Sequence, residues 1–358
     1  MAAMLTSTTH LRTCSDARSL SSIADNSVQL VVTSPPYPMI KMWDDLYSQR
    51  NKRIRRALTN GKRNHAFELM HGVLDKVWRE MDRTLVPGGI CCINIGDATR
   101  TIGGHFSLYP NHQRVQQQFL RLGYQCLPSI LWRKLTNAPN KFMGSGMMPP
   151  SAYVTLEHEW ILIFRKNGRR QFTSDDEQAN RQSSAYFWEE RNVWFSDLWQ
   201  LPGATQQLNL SERRSRNGTF PFELPYRLIN MYSVKGDTVL DPFVWTGTST
   251  LAAMASERNS VGFEENDSLR QSFLSRITTE TALALNQHIG QRLKNHVHFV
   301  REFERPMKYS NANHNIEVFT RQETQLHIRF VESIQSSGDD VQVKYTDEEP
   351  IIPKVSAV

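Results

Sequence analysis

Nowhere does this sequence stay apolar for the roughly 20 residues that a membrane-spanning helix needs. Its first residues, MAAMLTSTTHLRTC, lack the apolar core with basic flanks of a secretory signal. The expectation is an intracellular protein with no membrane partner, cytoplasmic and nucleoid-associated if the host is bacterial. Cysteine is scarce. The 4 cysteines, Cys14, Cys91, Cys92 and Cys126, form no CxxC pair and no Cys/His cluster, so they read as reduced core thiols and no metal is expected. A Walker lysine and a complete Gly-x-Gly-x-x-Gly are also missing, which argues against ATP hydrolysis and dinucleotide redox chemistry. Negative charge is missing locally. No Asp or Glu stands between Leu46 and Phe67, where Arg50, Lys52, Arg53, Arg55, Arg56, Lys62 and Arg63 cluster in a chain of net charge only +6. A phosphate backbone is the natural partner of such a run; a solvated helix face is the alternative.

What is present is an ordinary globular balance, 39% hydrophobic and 22% charged over 358 residues, enough for one large domain or two modest ones. Short β-branched runs alternate with helical patterns, the mark of an α/β protein with a largely parallel sheet. VQLVVTS (28–34) reads as a strand, AFELMHGVLDKVWREMDRTL (66–85) as a helix closed by the turn Pro87-Gly88-Gly89, and ICCINIGD (90–97) as the next strand. A helix at 112–124 follows. QCLPSILWRK (125–134) reads as extended, with Pro128 arguing for an edge or a bulge, and HEWILIFRK (158–166) as a strong strand. Two loops break the rhythm: the Gly/Pro/Met-rich 137–153, and the polar 167–218 with its aromatic island YFWEERNVWFSDLW (186–199). The pattern then restarts through residue 265. Beyond 290, two late strands are expected within HNIEVFTRQETQLHIRFVESI, and the end, DDVQVKYTDEEPIIPKVSAV, reads as frayed.

Two strand ends carry chemistry. In VLDPFVWTGTSTLAAMA a strand ends at Asp241, a turn with Gly247 and neighbouring threonines follows, and a small-residue helix begins. Such a turn suits a nucleotide-like cofactor, because ligands of open α/β sheets bind beyond the carboxyl ends of strands, at helix N-termini with free amide donors. Roughly 20 residues on, Glu264 ends the next strand, where a carboxylate can take both hydroxyls of a ribose. Plain helix capping is the alternative. The other end is Thr33-Ser34-Pro35-Pro36-Tyr37. Two prolines fix the chain and remove two donors, leaving carbonyls and the Ser34 hydroxyl as acceptors on a rigid turn, with the flat Tyr37 ring beside them. A planar base with an exocyclic amine fits that set; a simple strand-ending turn is the alternative.

These residues resemble the amino-type DNA methyltransferases, in particular their cytosine-N4 branch, whose hallmark is TSPPY where adenine enzymes carry Asp or Asn before the prolines. LDPF and TGT, within 240–248, are similar to the S-adenosylmethionine motif of that family, GFE at 262–264 to its ribose-binding acidic motif, and FPFELPYRLI at 220–229 to the segment flanking the methionine moiety. The catalytic motif precedes the cofactor motif. That is the circularly permuted order of the β group, so TCSDARSL at 13–20 is similar to the motif whose acid, here Asp16, bonds the cofactor adenine. VPGGICCINIGD and HEWILIFRK are similar to later strands of the group, and the resemblance spans about residues 10 to 275. One position departs: Trp245 stands where the family pattern Phe-x-Gly-x-Gly has its first glycine, and its side chain must point away from the cofactor or crowd it.

The resemblance implies a Rossmann-like, seven-stranded, mostly parallel sheet with helices on both faces. It implies S-adenosyl-L-methionine held by Asp16, Thr33, Phe220, Pro221, Asp241, Pro242, Phe243, Thr246, Gly247, Thr248 and Glu264, with Ser34, Pro35, Pro36 and Tyr37 as the catalytic set. Residues 1–166 would be the catalytic half with a basic insertion at 46–67, and 167–218 the target-recognition region. The cofactor half would be 219–290, and 291–358 an extension whose role the sequence does not reveal. The implied reaction is methyl transfer to the N4 amine of a cytosine flipped out of double-stranded DNA, within a restriction-modification pair whose endonuclease acts separately. Adenine-N6 or RNA amino-methylation on the same scaffold, and an inactive nucleic-acid-binding relative, are the competing readings.

Overall fold

The structure, a computed structural model, describes residues 6–135, 143–203 and 220–348. The remainders of the two expected loops and of the tail lie outside the described residues. Along the central strands, successive side chains part to opposite faces. In Leu85–Ile95, Cys91, Ile93 and Ile95 enter one apolar cluster while Ile90 and Cys92 enter another. In Val28–Thr33, Val31 parts from Leu30 and Val32 in the same way. Strands that bury both sides belong in the middle of a sheet covered by helices.

Numbered along the chain, the main-sheet strands are β1 (Ser7–Thr13), β2 (Val28–Thr33), β3 (Leu85–Ile95), β4 (Gln125–Leu135), β5 (His158–Arg165), β6 (Leu198–Pro202), β7 (Thr238–Asp241), β8 (Asn259–Phe263), β9 (Phe330–Ser337) and β10 (Asp340–Thr346). They lie in the order β6-β4-β5-β3-β2-β7-β8-β1-β10-β9. From β3 to β1 every pairing is parallel, and β5 runs against both of its neighbours. The seven expected strands are all present, and β6 at one edge and the β9–β10 hairpin at the other extend the sheet to ten. The pairing that matters most joins β2 to β7, Leu30 opposite Val239 and Val31 opposite Leu240. It sets the carboxyl ends of two strands, some 200 residues apart in sequence, side by side.

The helices are α1 (Asp44–Arg50), α2 (Lys52–Thr59), α3 (Arg63–Thr84), α4 (Asn111–Arg121), α5 (Asp175–Ser183), α6 (Trp188–Trp194), α7 (Glu223–Tyr232), α8 (Thr248–Ala255), α9 (Asp267–Arg276) and α10 (Thr279–Glu302). No helix among the described residues is long and apolar enough to cross a membrane.

Several local expectations change. Pro87-Gly88-Gly89 does not close a helix; it lies inside β3, where Gly88 adopts φ 82° and the register with β2 slips between Val28 and Leu30. Of the two options for Pro128, the bulge is the one seen, with a register shift between Leu127 and Ile130. The aromatic island is core and not loop: Phe187, Trp194 and Trp199 are buried in one apolar cluster. The stretch expected to fray contains β10, whose Val341, Val343 and Tyr345 are buried and which pairs with β1 from Ser7–Lys344 to Leu11–Asp340. Residues after 290 are therefore part of the body, held also by the Asn286 side chain, which bonds both the amide and the carbonyl of Val331. Cys91 and Cys92 are core thiols, whereas Cys14 and Cys126 are exposed.

Candidate active site and cofactor cleft

Asp241 ties the two strand ends together. Its carboxylate accepts from the Thr33 hydroxyl at 2.6 Å, from the Ser249 hydroxyl at 2.6 Å and from the Phe243 amide at 3.1 Å. Burial raises its pKa, and the hydrogen bonds from Ser249 and Thr33 only partly offset that. Thr33 and Asp241 thus brace the turns from behind.

The turn after β2 carries a four-residue network. Ser34 Oγ lies 2.9 Å from the Tyr37 hydroxyl, which donates to Glu159 Oε2 at 2.8 Å. Asn94 Nδ2 reaches the Tyr37 hydroxyl at 2.8 Å, Glu159 Oε2 at 2.7 Å and Ser34 Oγ at 3.4 Å. Lys134 closes the set by pairing with the other Glu159 oxygen. Burial, and then the Glu159 charge, hold the Tyr37 phenol well above its ordinary pKa, so it stays protonated and donates. Tyr47 donates to the Pro36 carbonyl at 2.6 Å, leaving Pro35 as the proline whose carbonyl can serve a substrate. Asn94 and Glu159 escaped the sequence reading. The available signal was a lone polar residue on each of two otherwise apolar strands, CCINI and HEWILIF.

Beside Ser34 opens a cleft of about 820 Å³, within the range of small-molecule sites. Of the residues expected to hold the cofactor, Asp16, Pro242, Phe243 and Glu264 line it, together with Ser34, Pro35 and Pro36. Burial raises the pKa of Glu264, and the Asn266 amide, 2.9 Å from Oε1, opposes the shift. Burial acts on Asp16 in the same sense, but the Arg18 hydrogen bonds and the nearby Arg50 prevail and hold its carboxyl below the usual range. Thr33, Asp241, Thr246, Gly247 and Thr248 stand behind the wall, and Phe220 is packed into the core with Pro221 half-buried beside it. Gly247 is obligatory. At φ 88° it begins α8, and a Cβ there would meet the Phe273 ring at 2.3 Å. Trp245 does not turn away; it lines the cleft.

The basic run divides. Lys52, Arg53, Arg55, Arg56 and Lys62 are exposed and Arg63 half-buried, with Ile54 and Ala57 holding α2 to the body by its opposite face. Arg55 pairs with Asp45 at 2.9 Å. Arg50 departs from the phosphate-facing expectation. It lines the cleft, paired with Glu265 and 3.9 Å from Asp16.

A DNA methylase family model, that of the N6/N4 amino-methyltransferases, matches residues 28–275. The chain belongs to that family. Among curated relatives of this DNA methyltransferase, the Type II methyltransferase M.MthZI of Methanothermobacter thermautotrophicus is 50% identical over 325 residues, 90% of this chain and 91% of its own. M.MjaI of Methanocaldococcus jannaschii, likewise a Type II methyltransferase, is 48% identical over 74% of this chain and 89% of its own. Among solved structures, a candidate DNA modification methylase from Thermus thermophilus, crystallised with S-adenosyl-L-methionine, superposes with a TM-score of 0.56. It is 31% identical, over 75% of this chain and 92% of that one. The methyltransferase uses S-adenosylmethionine, and its cleft fits such a ligand: two carboxylates for polar adenosine groups, apolar and aromatic walls, and a buried indole nitrogen, Trp245 Nε1, with no partner among the described residues.

Proposed function

We propose that this methyltransferase modifies the N4 amine of cytosine in double-stranded DNA. The observation that carries the reading is Ser34, a hydroxyl in place of a carboxylate or carboxamide, at the junction between the cleft and the Tyr37–Asn94–Glu159 network. S-adenosylmethionine, bound in the cleft, would supply an electrophilic methyl group. A paired cytosine cannot present its amine there, so the base is flipped out, its ring stacked on Tyr37. Ser34 Oγ and the Pro35 carbonyl accept the two amine hydrogens and turn the nitrogen lone pair toward the methyl. As the N–C bond forms, the amine releases one proton to Ser34. The Ser34 proton passes to Tyr37, and the Tyr37 proton to Glu159, whose charge is neutralised beside Lys134.

Incubating plasmid DNA with labelled cofactor, digesting to nucleosides and separating them by mass spectrometry should give N4-methylcytosine. N6-methyladenine as the sole product would overturn the base assignment and keep the scaffold; 5-methylcytosine would overturn the mechanism. The site methylated would be shared with a separately acting endonuclease, the usual partner of a Type II methyltransferase.

The exposed face of α2 is the phosphate grip in this reading. Reversing Arg53 and Arg56 to glutamate together should weaken binding to every DNA sequence alike and flatten the plot of log K against log salt by about 1–2, since each phosphate contact contributes about 0.9. An unchanged slope would return α2 to the role of a solvated surface.

A further inference from the structure

Two tryptophans line the cleft from separate halves of the chain. Trp43 follows the SPPY turn and Trp245 lies in the turn after β7; their rings meet edge to face, 5.6 Å apart at 85°. Trp245 keeps a glycine-like backbone at φ 47°, a strained conformation for a bulky residue. Arg12 holds it there: buried, with its guanidinium 4.4 Å over the Phe273 ring, it donates to the Trp245 carbonyl. The Trp245 indole nitrogen is buried and has no acceptor among the described residues, although a buried indole N–H ordinarily finds one. Strain and an unmet donor thus coincide in one residue of a ligand cleft. A ligand oxygen that accepts from this N–H accounts for both.

We propose that Trp245 is a cofactor-binding residue, its indole N–H donating to a ribose or carboxylate oxygen of S-adenosylmethionine while its ring, with Trp43, covers the bound molecule. The inference rests on the cofactor reading of the cleft. Those oxygens are common to the substrate and to its demethylated product, S-adenosylhomocysteine. The contact therefore tightens both, independently of the sulfonium charge.

Calorimetric titration of each ligand into the full chain tests this without DNA. Trp245→Phe keeps an aromatic ring and removes the donor, and it should raise both dissociation constants about tenfold. Trp245→Gly restores the family residue and relieves the backbone, yet it should bind still more weakly and release ligand faster in stopped-flow fluorescence. Trp43→Ala leaves the donor in place and should cost a smaller factor, about threefold, for both ligands. Binding of Trp245→Phe within about twofold of wild type, or tighter binding by Trp245→Gly, would overturn the proposal. Melting curves without ligand identify any variant that fails to fold, and the Phe and Trp43 variants keep the test decisive should Trp245→Gly do so. Failure of the wild-type chain to bind either ligand is a different result, one that overturns the cofactor reading itself.

Discussion

Glu159→Gln should lower the methyl-transfer rate by about 10²–10³-fold, the span of a lost proton acceptor, while binding of S-adenosylmethionine stays near wild type. The asymmetry follows from position. Glu159 does not line the cofactor cleft; it meets the network at Tyr37, 2.8 Å away, and at Asn94, 2.7 Å away. Glutamine can still accept from Tyr37 through its carbonyl oxygen, so the ring keeps its place, but it cannot end the relay as a base. Lys134, about one-third exposed, can solvate its charge when the partner becomes neutral, and stability should change little. The measurement is single-turnover kinetics on a DNA substrate, with the cofactor dissociation constant determined separately. Tyr37→Phe breaks the same relay one step earlier and should match it in rate, which a purely steric role for Glu159 would not require. A Glu159→Gln enzyme within a few-fold of wild-type rate would mean that the proton leaves to water.

The strand ends of β2 and β7 were legible because each is a contiguous apolar run closed by residues that only a rigid turn needs. Asn94 and Glu159 were not, because their meaning comes from register. Thr33 pairs with Ile93, and Asn94 with Ile161, so the polar residues of three strands converge only once the sheet has formed. The alternation in VQVKYT was readable as a strand, but the Gly-Asp turn before it and the polar tail after it masked the signal. The aromatic island follows neither a helical nor a strand period, and composition alone cannot tell a buried irregular segment from an exposed loop. Trp245 illustrates the converse: its departure from glycine was plain in the sequence, whereas its place in the wall and its unpartnered nitrogen required the fold.

Asp241→Ala should cost about 3–5 kcal/mol, because the Thr33 and Ser249 hydroxyls and the Phe243 amide, two of them fully enclosed, lose their common acceptor at once. Asp241→Asn should cost only about 1 kcal/mol, since an amide oxygen still accepts from Thr33 and Phe243 and the Ser249 hydroxyl can turn to accept from the amide. The contrast rests on the state of the carboxyl. Burial holds its folded-state pKa above the unfolded value, so the charged form is the disfavoured one and the site uses the geometry of the group more than its charge. A raised folded pKa contributes stability that is complete below the unfolded value, about 3.9, and is lost as the pH rises through the folded one. The balance between wild type and Asp241→Asn should therefore move toward wild type as the pH falls from neutrality toward about 4. Urea denaturation of both variants across that range, with S-adenosylmethionine binding measured at neutral pH, separates the contributions. Asp241→Ala should lose the cofactor as well as stability, because the turn from Pro242 to Gly247 is fixed through the same carboxylate. Equal losses in the Asn and Ala variants would show instead that the negative charge itself is what the two strand ends require.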